Sequence, residues 1–279
     1  WAADSYKKAI DEIIFACRAN RANNSFEKNN FPIGLENCKG GNCPTQTLVD
    51  AYEFQKTGER PDKNDEQPNY EGRDPRFYAT IAKNGDVKWP NWNTDGANAE
   101  PLPGGTPTGY YLKKYCQSAI NTTNAQPTTA YHTWITYRMG EFYLNYAEAL
   151  FRYFGNDAYK NDSEFPQPAN TFVNKTRQRS KMPDFPAGMD SEKWWAKYQN
   201  ERMVELAFEG HRFWDVRRWK EGDKFFTSID QMKITMNPDK SFSYTRVSVP
   251  RQWNDKMYLF PIPQTECAKN PNLTQNPGW

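Results

Sequence analysis

Apolar residues recur at helical spacing in several stretches of the chain. Within residues 1–22, Tyr6, Ile10, Ile13 and Cys17 are three and four positions apart, which predicts one stripe of an amphipathic helix. A tract rich in Asn, Gly and Pro follows, up to Pro44. Thr45 supplies a hydroxyl cap for a second helix over residues 46–55, which Gly58 would close. Residues 77–81 read as a short strand or a single helical turn. Asn84-Gly85-Asp86 is a hairpin signal, with Val87-Lys88-Trp89 as its return strand. After a Pro-, Gly-, Asn- and Thr-dominated stretch over residues 90–130, Ile135, Met139, Phe142, Tyr146, Leu150 and Tyr153 again fall three or four apart. That spacing predicts a long helix with one apolar face, ending at Gly155. Further helices are expected around residues 168–180 and 191–220. The tail from Tyr258 should be extended, because Pro261, Pro263, Pro271 and Pro277 punctuate it. The pattern is mostly helical, with long loops, one small hairpin and no strict internal repeat.

Composition changes this picture in one respect. Only 37% of the residues are hydrophobic and the mean hydropathy is −0.99, yet 15% are aromatic. Disordered chains are depleted in aromatics, so the composition fits a folded protein with an aromatic core, polar loops and a surface suited to stacking sugars. The formal net charge of +2 leaves no electrostatic footprint for nucleic acid or an anionic membrane. No apolar run approaches the length of a membrane span. The chain opens on Trp1-Ala2-Ala3-Asp4, without a signal peptide or lipid-attachment cysteine, so its natural N-terminus is expected to lie upstream. Two histidines and no Cys-x-x-Cys pair argue against zinc. In an oxidising compartment, Cys38 and Cys43 of Cys-Lys-Gly-Gly-Asn-Cys would close a small disulfide loop, and Cys17 would pack as a small hydrophobe.

The densest charged constellation is Glu201, Arg202, Glu205, Glu209, Arg212, Asp215, Arg217 and Arg218. Spacings of three and four put Glu201, Glu205, Glu209 and Arg212 on one helical face. Two of these carboxylates could be read as a glycosidase acid and base. Interleaved arginines, however, hold carboxylates ionised, which opposes a general acid and favours an ion-pair network locking the helix to its neighbours. Trp214 and Trp219 beside Arg212, Arg217, Arg218 and Lys220 could suggest base stacking, but Glu209, Asp215, Glu221 and Asp223 neutralise that stretch. His132 and His211 lack companions for a metal site or a triad. Lys88-Trp89-Pro90-Asn91-Trp92-Asn93 differs from all of these. Its indoles can stack on the C–H faces of sugars, while Asn91 and Asn93 pair with hydroxyls. Trp92 is the first ligand candidate, Trp89 either stacks on ligand or closes the hairpin onto the core, and Tyr70, Tyr110 and Tyr111 are weaker candidates.

Five segments, in order, resemble the SusD/RagB family. They are Pro44-Thr45-Gln46-Thr47-Leu48-Val49-Asp50-Ala51-Tyr52-Glu53; Arg73-Asp74-Pro75-Arg76-Phe77-Tyr78-Ala79-Thr80-Ile81; the stretch from Arg138 to Leu150; Asn200-Glu201-Arg202 through Glu209-Gly210-His211-Arg212 to Trp219; and Leu259-Phe260-Pro261-Ile262-Pro263 with the closing Asn270-Pro271-Asn272-Leu273-Thr274-Gln275-Asn276-Pro277-Gly278. The resemblance implies an all-α fold with long loops, in which residues 1–279 form the C-terminal portion. The N-terminal tetratricopeptide-like half and the lipoprotein signal would then be absent from this chain. It further implies a non-enzymatic, cofactor-free, lipid-anchored protein on the outer-membrane surface. Such a protein binds oligosaccharide and passes it to a SusC-like TonB-dependent transporter. Peptide cargo, as in RagB-like members, a glycoside hydrolase and a purely structural subunit stay open as alternatives. The family's glycan-binding loops vary, so the resemblance carries over no binding residue.

Overall fold

The structure, a computed structural model, describes residues 9–65, 67–86, 89–92 and 106–279. Its helical centre is built from α4 (Met139–Tyr153), α5 (Ala169–Arg179) and α6 (Ser191–Glu205). Leu144, Ala147, Leu150 and Phe151 of α4 are buried against Val173 of α5 and Trp194 and Tyr198 of α6. The α4 stripe is shifted from the one its spacing predicts, since Phe142 and Tyr153 are more than half exposed. Aromatic rings supply most of the volume. Trp194 stacks on Tyr198 at 5.4 Å and on Phe151 at 4.6 Å. The polar edges are satisfied, because the Trp194 indole N–H donates to Asn170 Oδ1 at 3.0 Å and the Tyr198 hydroxyl lies 2.9 Å from Leu144 O and Glu148 Oε2.

Around this centre lie shorter elements: β1 (Ile13–Arg18), α1 (Ser25–Asn30), α2 (Gln46–Ala51), α3 (Pro75–Thr80), β2 (Ile81–Ala82), β3 (Tyr111–Leu112) and β4 (Thr133–Arg138). After α6 come α7 (Arg212–Trp219), α8 (Gly222–Phe225), β5 (Ser228–Met236), β6 (Phe242–Pro250), a 3-10 turn (Asp255–Tyr258) and α9 (Gln264–Lys269). Thr45 caps α2 through a bond from the Leu48 N–H, as expected, but the helix stops at Ala51. Asp74 caps α3 and Pro75 occupies its first turn.

Several departures from expectation share one cause, which is pairing between distant segments. Residues 13–18 are a strand rather than part of a helix. They pair antiparallel with residues 133–138, where helical spacing had extended α4 back to Ile135. Ile13-Ile14-Phe15 and Thr133-Trp134-Ile135-Thr136-Tyr137 are β-branched and aromatic runs that fit a pleated surface. Cys17 consequently lies exposed opposite Trp134. β2 pairs with β3, so Ile81 finds Leu112; Val87 and Lys88 of the expected return strand lie outside the described residues. A hairpin joins β5 to β6 over nine paired residues, closed at Asn237 and Ser241. The C-terminal tail is extended except at the 3-10 turn and α9. All five cysteines are free; Cys38 Sγ meets Thr122 Oγ1 at 3.2 Å, while Cys43 Sγ bonds Gly40 O.

The expected helix over residues 191–220 is two helices, because the backbone reverses at Phe208 (φ 60°) and Gly210 (φ 85°). Open space surrounds the Cβ position of Gly210, so Gly210→Ala meets only backbone strain. It should cost about 1–2 kcal/mol in chemical denaturation.

Candidate functional site

The charged face of α6 is a buried ion-pair network. Glu205 receives Arg138 at 2.6 Å, Arg179 at 2.7 Å and Arg76 at 2.8 Å. Glu201 is held by Arg76 at 2.6 Å and Arg177 at 2.9 Å. Glu209 lies 2.6 Å from Lys114 and 2.7 Å from Arg138. On the adjoining turn of α6, Arg202 binds Asp215 at 2.7 Å, and Arg218 bridges Asp215 and Glu148. Burial alone would raise the Glu205 carboxyl, but Arg138, Arg179 and Arg76 outweigh it and hold the group well below the usual carboxylate range. Glu201 and Glu209 are lowered in the same way, against burial, by Arg76 and Arg177 and by Lys114 and Arg138 respectively. A general acid needs the opposite shift. The network also explains Gly140. A Cβ there would stand 2.4 Å from Arg138 Nη1 and 2.7 Å from Glu205 Oε1.

The expected ligand residues that lie among the described residues do not converge, and Tyr111 is fully buried with Tyr110. Tyr110 is fully buried and donates its hydroxyl to Gln46 Oε1 at 2.6 Å. Tyr70 is half-buried, its hydroxyl 2.9 Å from that of Tyr110 and its ring stacked on Phe77 at 5.8 Å. Trp89 belongs to a different buried cluster, edge-on to Phe31 at 5.1 Å beside Tyr111. Asn91 is exposed, with its backbone N–H on Ser118 O, and Trp92 is half-buried. Asn93 lies outside the described residues. Among the described residues no group of His, Cys, Asp and Glu is arranged to hold a metal ion.

A different set of aromatics does converge. α1 contributes Phe26, the turn after β3 contributes Tyr115, and β4 contributes Trp134 to a mainly apolar cavity of about 440 Å³. Tyr115 and Trp134 stack with centroids 4.8 Å apart, and Phe26 meets Tyr115 edge-on at 6.4 Å. Trp134 is 47% exposed although Tyr115 beneath it is buried, so the indole offers surface to the cavity. On two of the lining residues, Tyr115 Oη and Thr133 Oγ1 are buried behind the wall without a hydrogen-bond partner among the described residues. Tyr115 holds a left-handed backbone (φ 68°), which is uncommon for a bulky residue and is fixed by the Cys116 N–H to Lys113 O bond of its turn. Asn23, Ser25 and Asn29 supply polar groups around the aromatic wall. Flat rings with a few polar groups waiting for partners match the faces and hydroxyls of a saccharide. Sequence reasoning missed Trp134 because helical spacing absorbed its segment. The signal was the β-branched and aromatic run Thr133-Trp134-Ile135-Thr136-Tyr137, which favours a strand.

One electrostatic clamp holds the cavity together. His132 Nε2 meets Glu27 Oε1 at 2.9 Å and Oε2 at 3.1 Å, tying the segment leading into β4 to α1. The Glu27 hydrogen bond raises the His132 pKa, with burial opposing. A raised folded pKa means that the stabilisation is complete below the unfolded value of about 6.5 and is lost as pH rises through the folded value. Wild type should therefore exceed His132→Gln in stability most at pH 5.5, with the gap narrowing at pH 8.5 in paired urea denaturations.

Comparison with known proteins is consistent across sequence and fold. The model of the SusD family matches residues 11–279. SusD-like protein P2 of Formosa agariphila is 29% identical over 178 residues, covering 61% of this chain and 30% of its own length. A SusD-like protein from Bacteroides fragilis superposes with a TM-score of 0.78 at 30% identity, over 96% of this chain and 54% of that one. A second B. fragilis protein, described as a SusD-like carbohydrate-binding protein, superposes with a TM-score of 0.69 at 22% identity, over 94% and 54%. The chain thus spans about half the length of these solved relatives.

Proposed function

The chain belongs to the SusD family, and on that premise we propose that it captures oligosaccharide without chemical turnover at the outer-membrane surface, as the C-terminal portion of a lipid-anchored protein that delivers cargo to a SusC-like TonB-dependent transporter. The observation that carries this reading is the Phe26–Tyr115–Trp134 cavity, with its exposed indole and the polar residues around it. Stacking against the C–H face of a pyranose, with Asn23, Ser25 and Asn29 as hydrogen-bond partners, gives affinity and orientation without a nucleophile or a proton donor. The carbohydrate-binding relative supports saccharide as the cargo class. The carboxylates best placed for glycosidase chemistry, Glu201 and Glu205, are each bound by at least two arginines. That arrangement argues for binding without hydrolysis.

Calorimetric titration with a panel of soluble oligosaccharides and peptides tests the reading, with product chromatography after long incubation. Saturable binding of one glycan class with no cleavage is expected. Binding of peptides alone would instead identify a RagB-like peptide receptor, and release of shorter sugars would identify a hydrolase.

A further inference from the structure

A second recess, of about 310 Å³ and sharing no lining residue with the aromatic cavity, lies between α2, α6, α7 and β5. Arg60, Lys63, Arg212 and Lys224 line it, against Asp230 as the one carboxylate among its lining residues. Asp230 is already engaged by Thr47 Oγ1 and Ser248 Oγ, each at 2.8 Å. Among the described residues Arg60 reaches only Asn200 Oδ1, at 3.3 Å, and Lys224 is held by Glu221 at 2.8 Å.

Arg212 is the unusual member. Arg76, Arg138, Arg177 and Arg218 each bind two or more carboxylates, yet Arg212 forms no ion pair among the described residues. Its Nη1 is buried without a hydrogen-bond partner among them. The guanidinium lies 4.2 Å over the Phe225 ring, which fixes its plane. Nearby Asp215 is committed to Arg202 and Arg218. Burial accordingly pulls the Arg212 pKa down to about 10, with Asp215 and Glu221 compensating only in part. A desolvated guanidinium without a counter-ion is costly, and its planar fork suits a carboxylate or sulfate.

We propose that this recess binds the oxyanion of an acidic saccharide, a uronate carboxylate or a sulfate ester, with Arg212 at its floor and Lys63 and Arg60 at its rim. The saccharide part rests on the capture reading above; the anion part does not. Calorimetry of the 279-residue chain at low ionic strength, with inorganic sulfate, glucuronate and glucose as probes, tests it. Sulfate and glucuronate should bind saturably and glucose should not, and the tighter of the two anions assigns the substituent. Affinity should fall about tenfold in Arg212→Gln and about threefold in Lys63→Gln, whose exposed side chain carries no part of the core. Anion affinities equal to that of glucose, or unchanged in Lys63→Gln, would overturn the proposal, and the Lys63 variant decides it even where Arg212→Gln does not fold. Anion binding without any oligosaccharide binding would retain the anion site and remove the capture reading. Neutral oligosaccharide binding through Trp134 without anion binding would do the reverse.

Discussion

Glu205→Gln is expected to destabilise the chain by about 3–5 kcal/mol in urea denaturation, a large share of the 5–15 kcal/mol typical of a folded domain. The side chain is fully buried, and its two oxygens accept from Arg138, Arg179 and Arg76. Glutamine keeps the shape but removes the charge, leaving three guanidiniums facing a neutral amide that offers them one acceptor. The loss should extend beyond the local turn, since Arg138 also holds Glu12 and Glu209, and Arg76 also holds Glu201 and Asp74. Because the folded pKa of Glu205 is depressed, its stabilisation is present above the ordinary carboxylate pKa of about 4.3 and fades as pH falls below it. The wild-type advantage over Glu205→Gln should therefore shrink on acidification. A catalytic carboxylate would behave differently, since its amide variant loses turnover with little change, or a gain, in stability. A neutral or stabilising Glu205→Gln would mean that the α6 carboxylates are not the structural lock described above.

The character of α6 could be read from the chain because its evidence is local. Carboxylates and arginines three and four residues apart declare a charged helical face, but not its partners, since Glu201, Glu205 and Glu209 are bound by Arg76, Arg138, Arg177, Arg179 and Lys114 from other elements. The cap at Thr45 was legible for the same reason. Trp134 and Cys17 were not, because they face each other across more than a hundred residues of intervening chain. A short apolar run such as Ile13-Ile14-Phe15 satisfies helical and strand periodicities alike until its partner is known. Tyr110 illustrates the converse. Its Pro- and Gly-rich surroundings suggested an exposed loop, yet Gln46 and Tyr70 cover it, while Trp89, left open between ligand and core, packs on Phe31 in the core. Composition announced aromatic recognition but not which rings stay in the core.

Trp134→Ala should weaken binding of the preferred oligosaccharide about 30-fold, on the order of 2 kcal/mol. Trp134 supplies the exposed ring of the cavity, and Tyr115 stacked beneath it holds that ring in place before ligand arrives. The substitution removes the stacking face and the ring that Tyr115 holds ready, so affinity falls through lost contact and lost pre-organisation together. Its effect on stability should be smaller, about 1 kcal/mol for the lost aromatic pair, because the indole is half exposed. Trp92→Ala, outside the cavity lining, should leave affinity near wild type.

The most direct test of the capture site is the set of indole N–H resonances from the ten tryptophans, followed in ¹H–¹⁵N spectra during titration with that oligosaccharide, with Trp134→Phe fixing the assignment. A saturable shift of the Trp134 resonance, with Trp92 and Trp214 near their starting positions, is the result predicted for a saccharide seated on the Phe26–Tyr115–Trp134 wall. Saturation that moves Trp92 or Trp214 and leaves Trp134 unmoved would contradict it and place the ligand elsewhere on the chain.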